Sequence, residues 1–89
     1  MMLRMAENVP PFDPDAAADR YVWEVMAEHI QARIEAGELR PGARLPNERE
    51  LAAEYGVAVG TSRRAVRELA EAGLLRVLPG RGTYVSRHS

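Results

Sequence analysis

Cysteine is absent from this chain of 89 residues, and its absence excludes disulfides, thiolate nucleophiles and cysteine-based zinc or iron–sulfur sites. Histidine is scarce. His29 and His88 stand far apart, the second beside the C-terminus, which is a poor basis for a metal site or a catalytic triad. No apolar run approaches the roughly 18 residues of a membrane span. The first ten residues carry Arg4 and Glu7 and no long apolar stretch, so no signal peptide is expected and the cytoplasm is the expected address. Lysine is missing altogether, and all 12 basic residues are arginine. Guanidinium forks suit bidentate recognition of phosphate and guanine, although a genomic codon bias yields the same skew.

What is present fits one small domain with an ordinary apolar and charged content. A net charge of −1 conceals an uneven distribution. Residues 1–56 carry a net −5, whereas residues 57–89 carry +4 from Arg63, Arg64, Arg67, Arg76, Arg81 and Arg87 against Glu68 and Glu71. Such asymmetry fits a basic half that meets a polyanion. It fits a solvated helix face with a basic tail equally well.

Residues 1–15, with three prolines and no sustained period, read as a flexible N-terminal tail. Residues 16–89 then form the domain. Asp15 is a good N-cap for a helix starting at Ala16–Ala18. Trp23, Met26, Ile30 and Ile34 mark its apolar stripe, and Gly37 is placed to end it. Pro41-Gly42 makes a turn and Arg44-Leu45 a very short strand. Asn47 and Glu50 have the spacing of a capping box at the start of a second helix, which Gly56 stops. A third helix over about Val59–Ala72 turns Ser62, Ala65, Val66 and Leu69 inward and Gly60, Arg64, Arg67 and Glu71 outward. Leu75–Leu78 and Thr83–Ser86 flank the Pro79-Gly80-Arg81-Gly82 loop as a hairpin, with Leu74, Val77, Tyr84 and Val85 supplying packing. The fold class is α+β: a small winged helix-turn-helix domain of three helices and a short β-hairpin wing.

Two short helices joined by a tight glycine-containing turn form a helix-turn-helix. The second of them can enter a major groove only with a polar or small outer face and an apolar inner one. Gly60, Thr61, Ser62, Arg63 and Arg64 occupy its first turns, and Glu68 and Glu71 lie toward its far end. An amphipathic packing helix with hydrated arginines has the same pattern. The hairpin adds Arg81 at its tip between Gly80 and Gly82, where the bare backbone allows close approach to a phosphate wall. Such an arginine can enter a minor groove or grip its rim, though an ordinary glycine-rich turn looks no different. A nucleotide cradle is excluded, because no Gly-Lys-Ser/Thr follows and no strand–loop–helix surrounds the loop.

The sequence resembles the GntR family of bacterial winged-helix transcription regulators from about Tyr21 to Val85. The resemblance rests on Ile34 through Gly42, Arg44 through Ala52, Tyr55-Gly56-Val57, Arg63 through Leu69, Gly73-Leu74-Leu75 and Gly80 through Val85. It implies a repressor-type domain that binds operator DNA as a dimer. It also implies DNA contacts at Arg49, at Ala58, Val59, Gly60, Thr61 and Arg63 on the recognition helix, and at Pro79 and Gly80 on the wing. The commoner Ser/Thr-Arg-Thr-Thr gives way here to Ala58-Val59-Gly60-Thr61, and Ser62 replaces an aliphatic residue on the inner side. Ala58 cannot cap through a hydroxyl, and Arg63 and Arg64 take over the polar load. Family members usually carry an effector and dimerisation domain, so the chain reads either as a stand-alone regulator or as an excised part.

The expected assignment makes Arg63 and Arg64 base readers, because the guanidinium fork matches guanine O6 and N7. Arg49 and Thr61 clamp phosphate, and Arg67 meets the DNA backbone or only solvent. Arg81, Gly80 and Gly82 form the wing contact. The partner is a double-stranded, palindromic operator read by a homodimer, with the third helix in the major groove and the wing at the minor groove. A single module buries on the order of 600–1,000 Å², which makes one copy a weak binder. If the chain stands alone, the first helix and the preceding tail are the candidate dimer surface, with Tyr21 and Trp23 as anchors, although core packing is the favoured use of Trp23. No cofactor or membrane contact is expected, no small-molecule effector site is visible in the sequence, and the chain does not read as an enzyme. The competing reading is a winged-helix protein-interaction module that never meets DNA.

Overall fold

The computed structural model describes residues 9–16 and 18–87. The first half of the expected tail and His88 lie outside them. Among the described residues, three helices, α1 (Val22–Glu35), α2 (Glu48–Tyr55) and α3 (Val59–Glu71), precede a two-stranded antiparallel hairpin, β1 (Leu75–Leu78) and β2 (Gly82–Val85). The order and class are those of a winged helix-turn-helix.

The first helix begins later than Asp15 suggests. Asp13 spends its carboxylate on the Asp15 backbone N–H (2.9 Å) and its carbonyl on that of Ala16 (3.1 Å), which closes a local turn instead of capping a helix. Regular helix starts at Val22, after an extended Tyr21 whose N–H donates to Glu24 Oε1 at 3.1 Å. Here an apolar stripe first has something to bury against. Met26 and Ile30 have no solvent exposure, and Trp23, Ala27 and Ile34 pack around them.

Asn47 and Glu50 form the predicted capping box. Asn47 Oδ1 accepts from the Glu50 N–H at 2.8 Å, and the Asn47 N–H donates to Glu50 Oε1 at 3.2 Å. Together they satisfy two backbone donors that the helix cannot. Gly56 closes α2 with φ +68°, a conformation that strains any residue with a Cβ. Only Val57 and Ala58 then remain before α3. Leu51, Ala52 and Tyr55 from α2 meet Ser62, Ala65 and Leu69 from α3, and α1 closes over both. Full burial of aliphatic side chains contributes roughly 1.5–3 kcal/mol each, so the stripe on α1 and its partners hold the helix pair at a fixed angle.

Leu75 and Val85 pair across the root of the hairpin and are both buried. Farther out, Val77 faces Thr83 in register and is 48% exposed, because the ribbon has passed beyond the body of the domain. Val77 is therefore not the packing residue its β-branched side chain suggested. The expected strand at Arg44-Leu45 is a single bridge, Arg44 to Tyr84. Bonds of 2.8 Å from Gly42 N to Val85 O, Val85 N to Ala43 O and Leu45 N to Thr83 O lay this segment along the outer edge of β2.

Residues 9–12 lie against the domain. Phe12 meets the Tyr55 and His29 rings edge-on at 4.9 and 5.7 Å. His29 Nε2 is 2.7 Å from Pro10 O, and its Nδ1 is 2.8 Å from the Tyr55 hydroxyl, which also accepts from Arg33 Nη1 at 3.0 Å. The one arrangement that satisfies every group places the ring proton on Nε2 and points the Tyr55 O–H at Nδ1. Burial pushes the Tyr55 phenol above its ordinary pKa and keeps this donor protonated.

Candidate nucleic-acid interface

The start of α3 lacks a side-chain cap. Ala58 is extended and has no side-chain oxygen to offer, as its identity requires, and only its carbonyl accepts from the Thr61 and Ser62 N–H groups, at 3.0 and 3.1 Å. Beyond it the helix has distinct flanks. On one, Gly60, Arg63 and Arg67 are exposed. Ser62, by contrast, has no exposure at all, and its hydroxyl finds no hydrogen-bond partner among the described residues. The expectation that Ser62 touches DNA is corrected: it is buried on the inner face of α3. Thr61 is half-buried at the boundary.

Arg63 crosses to the first residue of α2. Its Nε and Nη2 both donate to Glu48 Oε1, at 3.0 and 2.7 Å, on an exposed surface. The hydrogen bond from Arg63 holds the Glu48 carboxyl below its usual pKa, and the guanidinium is raised in return. Glu48 is therefore ionised at neutral pH. Arg49, the next residue, is exposed on the same turn.

Arg64 takes a different course. Its Cζ lies 4.2 Å from the centroid of the Trp23 ring on α1, and its Nε donates to Glu68 Oε2 at 2.9 Å. Consecutive residues on a helix are about 100° apart, so a base-reading pair at Arg63 and Arg64 has to share a face that the helix divides. Arg64, the expected second reader, packs α3 to α1 while its side chain stays 43% exposed. Sequence reasoning missed both Glu48 and Trp23 as partners. The capping spacing around Asn47 marked the start of α2 but said nothing about which arginine would reach it.

A groove of about 410 Å³ runs between α3 and the hairpin. Arg63, Val66, Arg67 and Ala70 line one wall, Val77 and Thr83 the other, with Glu48 and Glu71 at its margins. The helix flank and the ribbon therefore border one surface. At the ribbon tip Arg81 is exposed, its N–H bonded to Leu78 O at 2.8 Å and its carbonyl accepting from the Tyr84 hydroxyl at 3.3 Å. Gly80 is exposed with φ +78° and open space around it. Gly82 adopts φ +127°, and a Cβ there would lie 2.7 Å from Arg44 Nε. Its conformation favours glycine at Gly82, and any side chain there would also have to displace the Arg44 guanidinium.

Residues 24–85 match the family described as "Bacterial regulatory proteins, gntR family". This chain belongs to the gntR family. The family resemblance is thereby borne out, and so is the fold it implied. Among curated relatives, the HTH-type transcriptional repressor NagR of Bacillus subtilis (strain 168) is 41% identical over 66 residues, covering 74% of this chain and 27% of NagR. The HTH-type transcriptional regulator Rv1152 of Mycobacterium tuberculosis is 37% identical over 73 residues, covering 82% of this chain and 60% of that protein. The chain thus spans about a quarter of the length of NagR. Among solved structures, YtrA from Sulfolobus acidocaldarius, a GntR-family transcription factor, superposes with a TM-score of 0.80 at 30% identity, over 90% of this chain and 84% of that one. AraR(DBD) in complex with operator ORX1 superposes with a TM-score of 0.69 at 34% identity, over 72% of this chain and 77% of that one.

Proposed function

We propose that this gntR-family domain is the operator-binding part of a transcriptional repressor. It places α3 in the major groove and the wing at the minor groove, and reads a palindromic site as a homodimer. The observation that carries this reading is the shared surface on which Arg63 and Arg67 of α3 face the hairpin across one groove. A basic helix flank beside a slim ribbon matches a duplex, whose major and minor grooves alternate along the same side. Arg63 reads a base, Arg49 holds phosphate, and Arg81 with Gly80 and Gly82 meets the backbone at the wing. Arg67 and Thr61 border the contact. The relatives named as repressors, and the AraR domain solved on its operator, support the DNA partner and the direction of regulation.

Selection of binding sites from random duplexes, followed by a salt titration on the recovered sequence, tests the proposal. The expected result is two half-sites related by a dyad, with a log–log salt slope of roughly −4 to −5 per protomer from four to six phosphate contacts. Absence of any salt-dependent binding to duplex DNA overturns it and leaves the protein-interaction reading.

A further inference from the structure

Glu48 is a carboxylate on the surface proposed to meet a polyanion, where it repels phosphate. Its place at the first turn of α2 complements the helix dipole, but that role needs no partner on α3. The carboxylate nevertheless takes two N–H groups of Arg63, a residue fifteen positions away in sequence. An arginine has five N–H donors in a rigid plane. Glu48 occupies the Nε edge, which leaves both Nη1 hydrogens and the outer Nη2 hydrogen free. Those free donors form the end-on fork, the one arrangement of this guanidinium that still presents two parallel N–H groups. Guanine offers O6 and N7 side by side and accepts such a fork.

We infer that Glu48 is a specificity-determining positioning residue, which locks Arg63 in the end-on orientation and directs it at guanine. The inference rests on the reading of the domain as an operator binder. Glu48 itself touches no base. It trades general affinity for selectivity, because its charge weakens contact with every duplex while its hydrogen bonds fix the one arginine that discriminates. A long, exposed arginine without this anchor samples many rotamers and meets phosphate as readily as guanine.

The test measures binding of the full chain and of Glu48→Ala and Glu48→Gln by fluorescence anisotropy. Two probes are used: the duplex selected from random DNA by the unaltered protein, and a random-sequence duplex of equal length. For Glu48→Ala, affinity for the selected duplex should fall by about fivefold or more, the low end of what one bidentate base contact discriminates. Affinity for the random duplex should rise, by about twofold or more as one repulsive charge is lost. Glu48→Gln keeps an acceptor for Arg63 and should recover part of the selectivity while retaining the gain on random DNA. A rise on both duplexes overturns the inference, since Glu48 would then merely compete with DNA for Arg63. A fall on both, accompanied by a lower Tm, overturns it in favour of a purely structural role, and unchanged selectivity overturns it as well. If the unaltered protein selects no sequence at all, the operator reading fails first, and that result is visible before any variant is made.

Discussion

The two flanks of α3 carry the same chemistry to different ends. On one, Arg63 leans toward α2, and together with Arg67 it borders the groove before the wing. On the other, Arg64 sits over the Trp23 ring and bonds to Glu68, tying the helix to α1. Under the proposed function, neighbouring arginines in one basic run are divided between recognition and architecture, and the division follows what the two adjacent helices offer. An acid at the start of α2 takes the Nε edge of one guanidinium, and an indole on α1 takes the other as a packing surface. A count of positive charge on a helix overstates its readers by however many it lends to the scaffold.

Breaking each flank separately has unequal consequences. Arg63→Ala is expected to have the largest effect, a loss of roughly tenfold or more in the ratio of operator to random binding, measured by gel shift with both probes. Arg49→Ala should weaken binding to all sequences about equally and reduce the salt slope by about 1. Arg64→Ala should leave the ratio of operator to random binding unchanged and instead lower stability by about 0.5–1 kcal/mol through loss of the cation–π contact, read by chemical denaturation. If Arg64→Ala abolishes sequence preference, the division between the flanks is wrong. Ser62→Ala, on the inner face between them, should be neutral or stabilising by up to about 1 kcal/mol, because it removes a buried hydroxyl that has no partner.

The smallest effect is one of pH. The Glu48 carboxyl is lowered in the folded protein by Arg63, so its contribution to stability is complete above the unfolded carboxylate pKa of about 4.3. It fades as pH falls through the lower folded value. Unaltered protein should therefore lose slightly more stability than Glu48→Gln on acidification from neutrality to about pH 3, and the two should run parallel above pH 6.

Much of this arrangement is legible in the sequence because it is written in local spacing. The Asn47–Glu50 box, the Met26–Ile30 stripe and the Leu75/Val85 root of the hairpin follow from periods of helix and strand. The start of α1 does not, since Asp13 and Asp15 offer the same capping chemistry to a turn as to a helix, and only the burial of Met26 and Ile30 decides where regular helix begins. The seating of Phe12 and Pro10 depends on His29 and Tyr55, which the chain brings together from separate helices. The fate of Arg64 depends on Trp23 in the same way. Ser62 illustrates a third kind of difficulty. Its position on the inward stripe argued for burial, its hydroxyl for contact with DNA, and position prevailed.

The short bridge at Arg44 has a consequence for how copies of the domain behave when crowded. A bare two-stranded ribbon exposes hydrogen-bonding edges that can recruit a strand from another molecule. Here the 42–45 segment occupies the outer edge of β2 along residues 83–85. A neighbouring copy therefore finds no open backbone edge on that side of the ribbon to extend with a strand of its own.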